Sequence, residues 1–319
     1  MPAERFPAGM YMDFLNFLKR RYPLKMKRIA ALFATVFLLS GMGQLQVMAE
    51  TSADVSKGAV KEARSQAEKE KVQVVKEALD ALSLTHKVLD DLKQKNKEKA
   101  LKDLEKAIGK LEIILADKSA PALLPIDSSI VAIEYRGDLD TVKATLKEVR
   151  KLLDKQQIQE ARRLLDTLQS EIDIITINLP VVSYPEALKL AAKYLHEDKI
   201  TEAQDVLNMA LKTLVRNEMV LPIPLLKAQA LVEEAEKTAK KDKKQAIKHL
   251  EAAKKELKLA EVLGYTSTSD TTYKTLHESI AKIEKEIKGK NKAEKLFDEL
   301  IEKLKEFKER AEKTFSKSI

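Results

Sequence analysis

Ala203-Gln-Asp-Val-Leu207-Asn-Met-Ala210-Leu-Lys-Thr-Leu214 is the stretch that decides the fold. Its apolar positions are spaced 4, 3 and 4 residues apart, which places them on one face of an α-helix. The pattern recurs three times: Ala100, Leu104, Ala107 and Leu111; Ala161, Leu165, Leu168 and Ile172; Ala246, Leu250, Ala253 and Leu257. A small alanine at the head of each lets a partner helix come close. The heads lie 61, 42 and 43 residues apart.

A polar turn precedes every copy: Lys95-Asn96-Lys97, Asp154-Lys155-Gln156, Glu197-Asp198-Lys199 and Lys241-Asp242-Lys243. Before each turn runs another amphipathic stretch. These carry Leu79, Leu82 and Leu89; Leu146, Val149 and Leu153; Leu188, Ala191 and Leu195; and Leu231, Ala235 and Ala239. The pattern predicts a mainly α fold of stacked antiparallel helical hairpins, a repeat-like bundle. It follows the logic of tetratricopeptide arrays, with a longer period and without their aromatic signature.

Apolar stretches with prolines follow the first three hairpins. They are Pro121–Pro125 running into Ile126–Tyr135, Ile174–Tyr184 with Pro180, and Met219–Leu225 with Pro222 and Pro224. β-branched residues favour extended backbone and proline removes the helical option locally. Two or three short β-strands are expected there, with buried loop as the alternative. Gly264 and the Thr/Ser-rich residues to Thr272 mark a boundary. Beyond it, Leu276, Ile280, Ile283 and Ile287, then Gly289, then Phe297, Leu300, Leu304, Phe307 and Ala311 predict two coiled-coil-like amphipathic helices. The expected domains are 1–49, 50–265 and 266–319, and the start of the second is expected to fray.

Residues 26–49 have the layout of a secretion signal. Lys25, Lys27 and Arg28 supply charge, Ile29–Leu39 the apolar core, and Val47-Met48-Ala49 a cleavage site. Cleavage between Ala49 and Glu50 is expected, with Met26 as the true start and residues 1–25 an upstream mis-start or a long basic n-region. The alternative is a retained anchor, because the uncharged run Ile29–Met48 is 20 residues long. That leader is the one membrane attachment the sequence suggests. A lipoprotein is excluded, since the chain has no cysteine.

The chain carries a net charge of +8. Residues 1–49 hold seven Lys/Arg against Glu4 and Asp13, so most of the excess belongs to targeting. The rest of the chain is of mixed sign, which argues against nucleic acid as a partner. The lack of cysteine also removes thiolate metal sites and cysteine nucleophiles, and no cofactor or metal is expected. His86, His196, His249 and His277 form no i,i+4 pair. His86 is expected to be partly buried on the stripe Leu79, Leu82, Leu89, and His196 to lie at a solvated turn. Arg136-Gly137-Asp138 spells an adhesion tripeptide that chance explains better. No catalytic residue emerges from the carboxylates, which on charged helix faces form weak surface pairs.

The proline stretches are the best candidates for something specific. Asn178-Leu-Pro180 and Tyr184-Pro185 interrupt the helices with rigid backbone that could line a groove. Asn178, Tyr184 and Tyr194 are the candidate binding residues, the tyrosines as amphipathic contacts. The alternative is that these segments turn corners between hairpins.

Four stretches together resemble the YfdX family of bacterial exported proteins. They are Ala107-Ile-Gly-Lys-Leu-Glu112, Glu160-Ala-Arg-Arg-Leu-Leu165, Asn178-Leu-Pro180 with Tyr184-Pro185, and Leu221-Pro-Ile-Pro224 followed by Ala228-Gln-Ala-Leu231. The likeness spans about residues 74–265. It implies a periplasmic, mainly helical protein associated with envelope stress and prone to self-association, so a homo-oligomer is expected. It implies no catalytic mechanism. The function expected is non-enzymatic binding of an envelope protein or small molecule. A periplasmic small-molecule-binding protein and a hydrolase-type enzyme are the rivals.

Overall fold

The computed structural model describes residues 51–315 and 317–318, apart from residues 118, 268–269 and 289–292. The expected leader, its upstream extension, the expected Ala49–Glu50 cleavage position and Gly289 lie outside the described residues.

Among the described residues the four hairpins form. They are α2 (Lys76–Lys93) with α3 (Lys97–Leu115), α4 (Leu139–Asp154) with α5 (Ile158–Asp166), α6 (Ser183–His196) with α7 (Ile200–Lys212), and α8 (Ile223–Ala239) with α9 (Lys243–Val262). Ahead of them lies α1 (Ser52–Glu70), and after them α10 (Thr271–Lys288) and α11 (Glu294–Phe315). Three strands follow the first three hairpins: β1 (Leu123–Ile133), β2 (Glu171–Pro180) and β3 (Val215–Pro222). The two-residue β4 (Lys317–Ser318) pairs antiparallel with β3, in the sheet order β1-β2-β3-β4. The Val181 N–H donates to Ala122 O at one end of the first strand pair, and the Tyr135 N–H to Ser170 Oγ at the other. These reversed ends make β1 and β2 antiparallel.

The turns explain the hairpins. In the first three, the second residue after the leading helix has positive φ: Lys95 at 61°, Gln156 at 59° and Asp198 at 60°. Each donates to a carbonyl three residues back, and its successor donates to one five back, as Asn96 N–H does to Asp91 O at 2.8 Å. This paired closure satisfies the last carbonyls of the helix. Asn96 and Asp242 then cap α3 and α9, accepting from Lys99 and Gln245 N–H. The prolines turn corners. Pro180 ends β2, while Pro185 and Pro224 sit in first turns, where a missing N–H costs no helical bond.

Two compact units result, each assembled from separated stretches. The unit holding residues 72–128 and 176–216 buries α2–α3 against α6–α7 around Leu104, Leu111, Tyr184, Leu188 and Leu207. The unit holding residues 129–175 and 217–319 packs α1, α9 and α11 on α8, and α10 on α9 and α11. Phe297, Leu300 and Leu304 share its core with Leu231 and Leu250. Burying each such leucine contributes about 1.5–3 kcal/mol.

Four local expectations are corrected. α1 does not fray at its start, because Thr51 caps it and its Val55 joins the core. His86 is exposed: α2 turns Ala78, Ala81, Thr85, Val88 and Leu92 inward together with Leu89 of the expected stripe, and leaves Leu79 exposed. α5 ends at Asp166, where the Thr167 hydroxyl donates to Leu164 O, so Leu168 lies beyond the helix and Ile172 on β2. Leu165, expected in the core, is 44% exposed. Ser183–Pro185, expected as extended chain, starts α6.

Candidate binding surface

The three candidate residues sit in the same unit but not on a common surface. Asn178 is buried on β2, its amide donating to Thr176 O at 3.3 Å and Val215 O at 3.2 Å, so it ties β2 to the start of β3. Tyr184 is fully buried at the start of α6, and burial pushes its phenol up to about 12. Only Tyr194 reaches solvent, half-buried with the Lys199 ammonium 5.8 Å from its ring centre. Asn178 and Tyr184 thus build the corner rather than a groove. Asp138 of the adhesion-like tripeptide caps α4, accepting from the Thr141 N–H at 2.7 Å.

The histidines have different settings. His196 is exposed, as expected. His249 is buried, with Nδ1 2.9 Å from Ser52 Oγ and Nε2 3.2 Å from Gln245 Nε2, which fastens α1 to α9. His277 packs edge-on against Tyr273 at 4.7 Å, and its buried Nε2 has no hydrogen-bond partner among the described residues. Burial lowers its pKa, Lys254 and Lys258 add to that, and Glu261 opposes. Glu261 accepts from Tyr273 Oη at 3.0 Å and pairs with Lys258. An open cavity of about 380 Å3 lies beside them, lined also by Lys274 and Glu278. A second, of about 470 Å3, is lined by residues including Tyr265, Asp270, Phe307 and Arg310. The Tyr265 oxygen accepts from Ser170 N–H at 2.9 Å while its hydroxyl donates to Glu171 at 2.8 Å, pinning β2 to the chain after α9. No group of three or more metal-binding side chains occurs among the described residues.

The hairpins differ most in what covers their apolar faces. Four residues after the leading alanine stand Leu104, Leu207 and Leu250, all closed to solvent. Their counterpart on α5 is Leu165, nearly half exposed. Eight residues before the alanine stand Leu92 and Leu195, both buried, whereas Leu153 is 44% exposed. Ile158, at the turn between α4 and α5, is 51% exposed. Neither hydrophobic core includes a residue of α4 or α5. α5 packs on α4, and α4 meets α9 through a narrower contact. The α4–α5 hairpin therefore keeps the repeat's apolar pattern and buries Val142, Val149 and Ala161, but leaves Leu153, Ile158 and Leu165 open to solvent. Sequence reasoning missed this, because the pattern gives the face and not its cover.

A repeated helical hairpin followed by a strand, three times over, is the organisation that comparison with known families then places. Residues 81–220 match the YfdX family. The family match is to "YfdX protein" and runs from within α2 to within β3. Three of the four stretches that carry the resemblance lie inside it, and Leu221–Leu231 falls just beyond its end. Among solved structures, the chain is similar to YfdX of Salmonella Typhi at 15% identity and a TM-score of 0.33, covering 47% of this chain and 93% of that one. The search of curated proteins found no match. The matched residues include the whole α4–α5 hairpin. The cavities beside His277 and Arg310 lie C-terminal to the matched residues.

Proposed function

We propose that this chain is an exported, non-enzymatic periplasmic protein that acts in envelope stress by binding and by self-association. The observation that carries the reading is on the α4–α5 hairpin, where Leu153 and Leu165 meet solvent at positions that α2–α3 and α6–α7 bury, with Ile158 exposed at the turn between them. Exposed apolar patches of this kind mark interaction surfaces. Two buried carboxylates support it, since both are occupied in ion pairs. Asp103 pairs with Lys87 and Lys106, and Asp91 with Lys99.

Export rests on the leader pattern of residues 26–49 and on the resemblance to exported proteins. Cell fractionation with sequencing of the protein's N-terminus tests it. The expected result is a periplasmic chain starting at Glu50. A chain that stays in the cytoplasm, or keeps its leader in the membrane, would contradict it.

The cavity of about 470 Å3 favours a second reading, a small-molecule-binding protein, because Asp270 and Arg310 sit there beside Phe307. Thermal-shift screening separates the two, since a bound ligand raises the melting temperature.

A further inference from the structure

We propose that the lysine-rich end of the unit holding residues 129–175 and 217–319 docks on an anionic lipid surface. The inference does not depend on self-association or on cleavage of the expected leader.

The end is built from helix termini. At the turn from α8 to α9, the charged residues between Lys240 and Lys248 are Lys240, Lys241, Lys243, Lys244, Lys248 and a single acid, Asp242. All of them are exposed. α10 runs antiparallel to α9, because Tyr273 donates to Glu261 at 3.0 Å and Lys254 to Glu284 at 2.7 Å. Its last turn, with the exposed Lys285 and Lys288, therefore reaches the same end. α11 starts there too, since Glu294 pairs with Lys240 at 2.7 Å.

Little acid offsets this charge. Asp242 is engaged in capping α9, Glu294 pairs with Lys240, and Glu286 is half-buried. Lys241, Lys244, Lys248, Lys285 and Lys288 have no ion-pair partner among the described residues. The turn from α2 to α3 is as rich in lysine but is neutralised: Lys93 pairs with Asp90, Lys97 with Asp198 and Lys99 with Asp91.

The chemistry favours lipid headgroups over nucleic acid. Residues 237–248 hold no arginine and no aromatic side chain. Duplex readout leans on arginine forks, and single strands are held by stacking on aromatic rings. A lysine ammonium is a compact, hydrated point charge. Each one held near an anionic bilayer strengthens binding about fivefold. No helix among the described residues is long and apolar enough to cross a membrane, so the contact is electrostatic and reversible. The start of α1 agrees. Ser52 Oγ lies 2.9 Å from Nδ1 of His249, in the second turn of α9. Residues 26–49, the expected leader, thus enter the fold beside these lysines.

Cosedimentation of the purified protein with vesicles tests this. Binding is expected to phosphatidylglycerol vesicles at low salt and not to phosphatidylcholine vesicles, with release as salt screens the charges. Lys241→Gln/Lys244→Gln/Lys248→Gln, at exposed positions, is expected to bind phosphatidylglycerol about a hundredfold more weakly with unchanged helical circular dichroism. Lys102→Gln/Lys147→Gln/Lys155→Gln removes the same charge elsewhere and is expected to bind like the wild type. If the first variant loses helix, Lys285→Gln/Lys288→Gln decides, with an expected loss of about twentyfold. No binding to phosphatidylglycerol, equal binding to both lipids, or equal loss in the first variant and its distant control would overturn the proposal. Tighter retention by duplex DNA than by phosphatidylglycerol vesicles would assign the end to nucleic acid and overturn it as well.

Discussion

Lys95, Gln156 and Asp198 hold the same left-handed backbone at the same place in three successive hairpins. Gly264, with φ of 91°, closes α9 by the same pair of backbone bonds. A side chain in this region costs about 1 kcal/mol that glycine avoids. Each of Lys95→Gly, Gln156→Gly and Asp198→Gly is therefore expected to stabilise the fold by about 0.5–1 kcal/mol, read from urea denaturation. Glu256 gives a pH-dependent case. Burial raises its pKa, Lys227 counters this and Glu134 adds to it. An acid whose pKa is raised by folding binds its proton more readily when folded. Its contribution is most favourable below the ordinary glutamate pKa and is lost as pH rises through the raised value. Glu256→Gln should thus raise Tm at pH 7 and change it little at pH 4; the reverse order would contradict the burial argument. His277 has the opposite sign. Its lowered pKa keeps the folded ring neutral, so stability is lost as pH falls below its ordinary 6.5. His277→Gln is expected to flatten the Tm profile between pH 7 and pH 5. At this scale the sequence spoke least. Asn178 and Tyr184 were visible beside prolines, but a proline corner looks the same whether its neighbours face a groove or a core.

The elements were more legible. The 4-3-4 spacing of Ala203, Leu207 and Ala210 fixes a helix face, and the polar turns fix where the chain reverses. The three proline-bearing stretches became strands because β-branched runs and proline both exclude helix. Their ends shifted: β2 starts at Glu171, since α5 stops at Asp166 and frees the chain, while Pro185 fits a first helical turn and lets α6 start at Ser183. Two changes probe elements directly. Asp242 caps α9 by accepting from Gln245 N–H at 2.9 Å, so Asp242→Ala is expected to cost about 1 kcal/mol of stability. Ala100 is fully buried at the head of its repeat, where α3 meets its neighbours. Ala100→Leu is expected to overpack that contact and cost about 1–3 kcal/mol. A neutral result in chemical denaturation would mean that the leading alanines do not set helix approach.

For the whole molecule, the sequence showed how many hairpins there are but not which covers which. Hairpin α2–α3 is closed by α6–α7, and α8–α9 by helices from both ends of the described chain. A linear pattern cannot encode that partnership, because equivalent faces look alike in sequence. Leu104 and Leu165 occupy the same repeat position, and only the fold reveals that one is closed and the other open. The charge was easier to place. Its excess gathers in residues 1–49, beside a leader pattern, and the rest of the chain is nearly balanced. The proposal that the chain binds through its open hairpin is tested most directly by the mass of the purified protein in solution. Sedimentation is expected to show two chains together at micromolar concentration, separating when Leu165 is replaced by Glu. A single chain at every concentration, with no partner captured by mild crosslinking, would contradict the proposal.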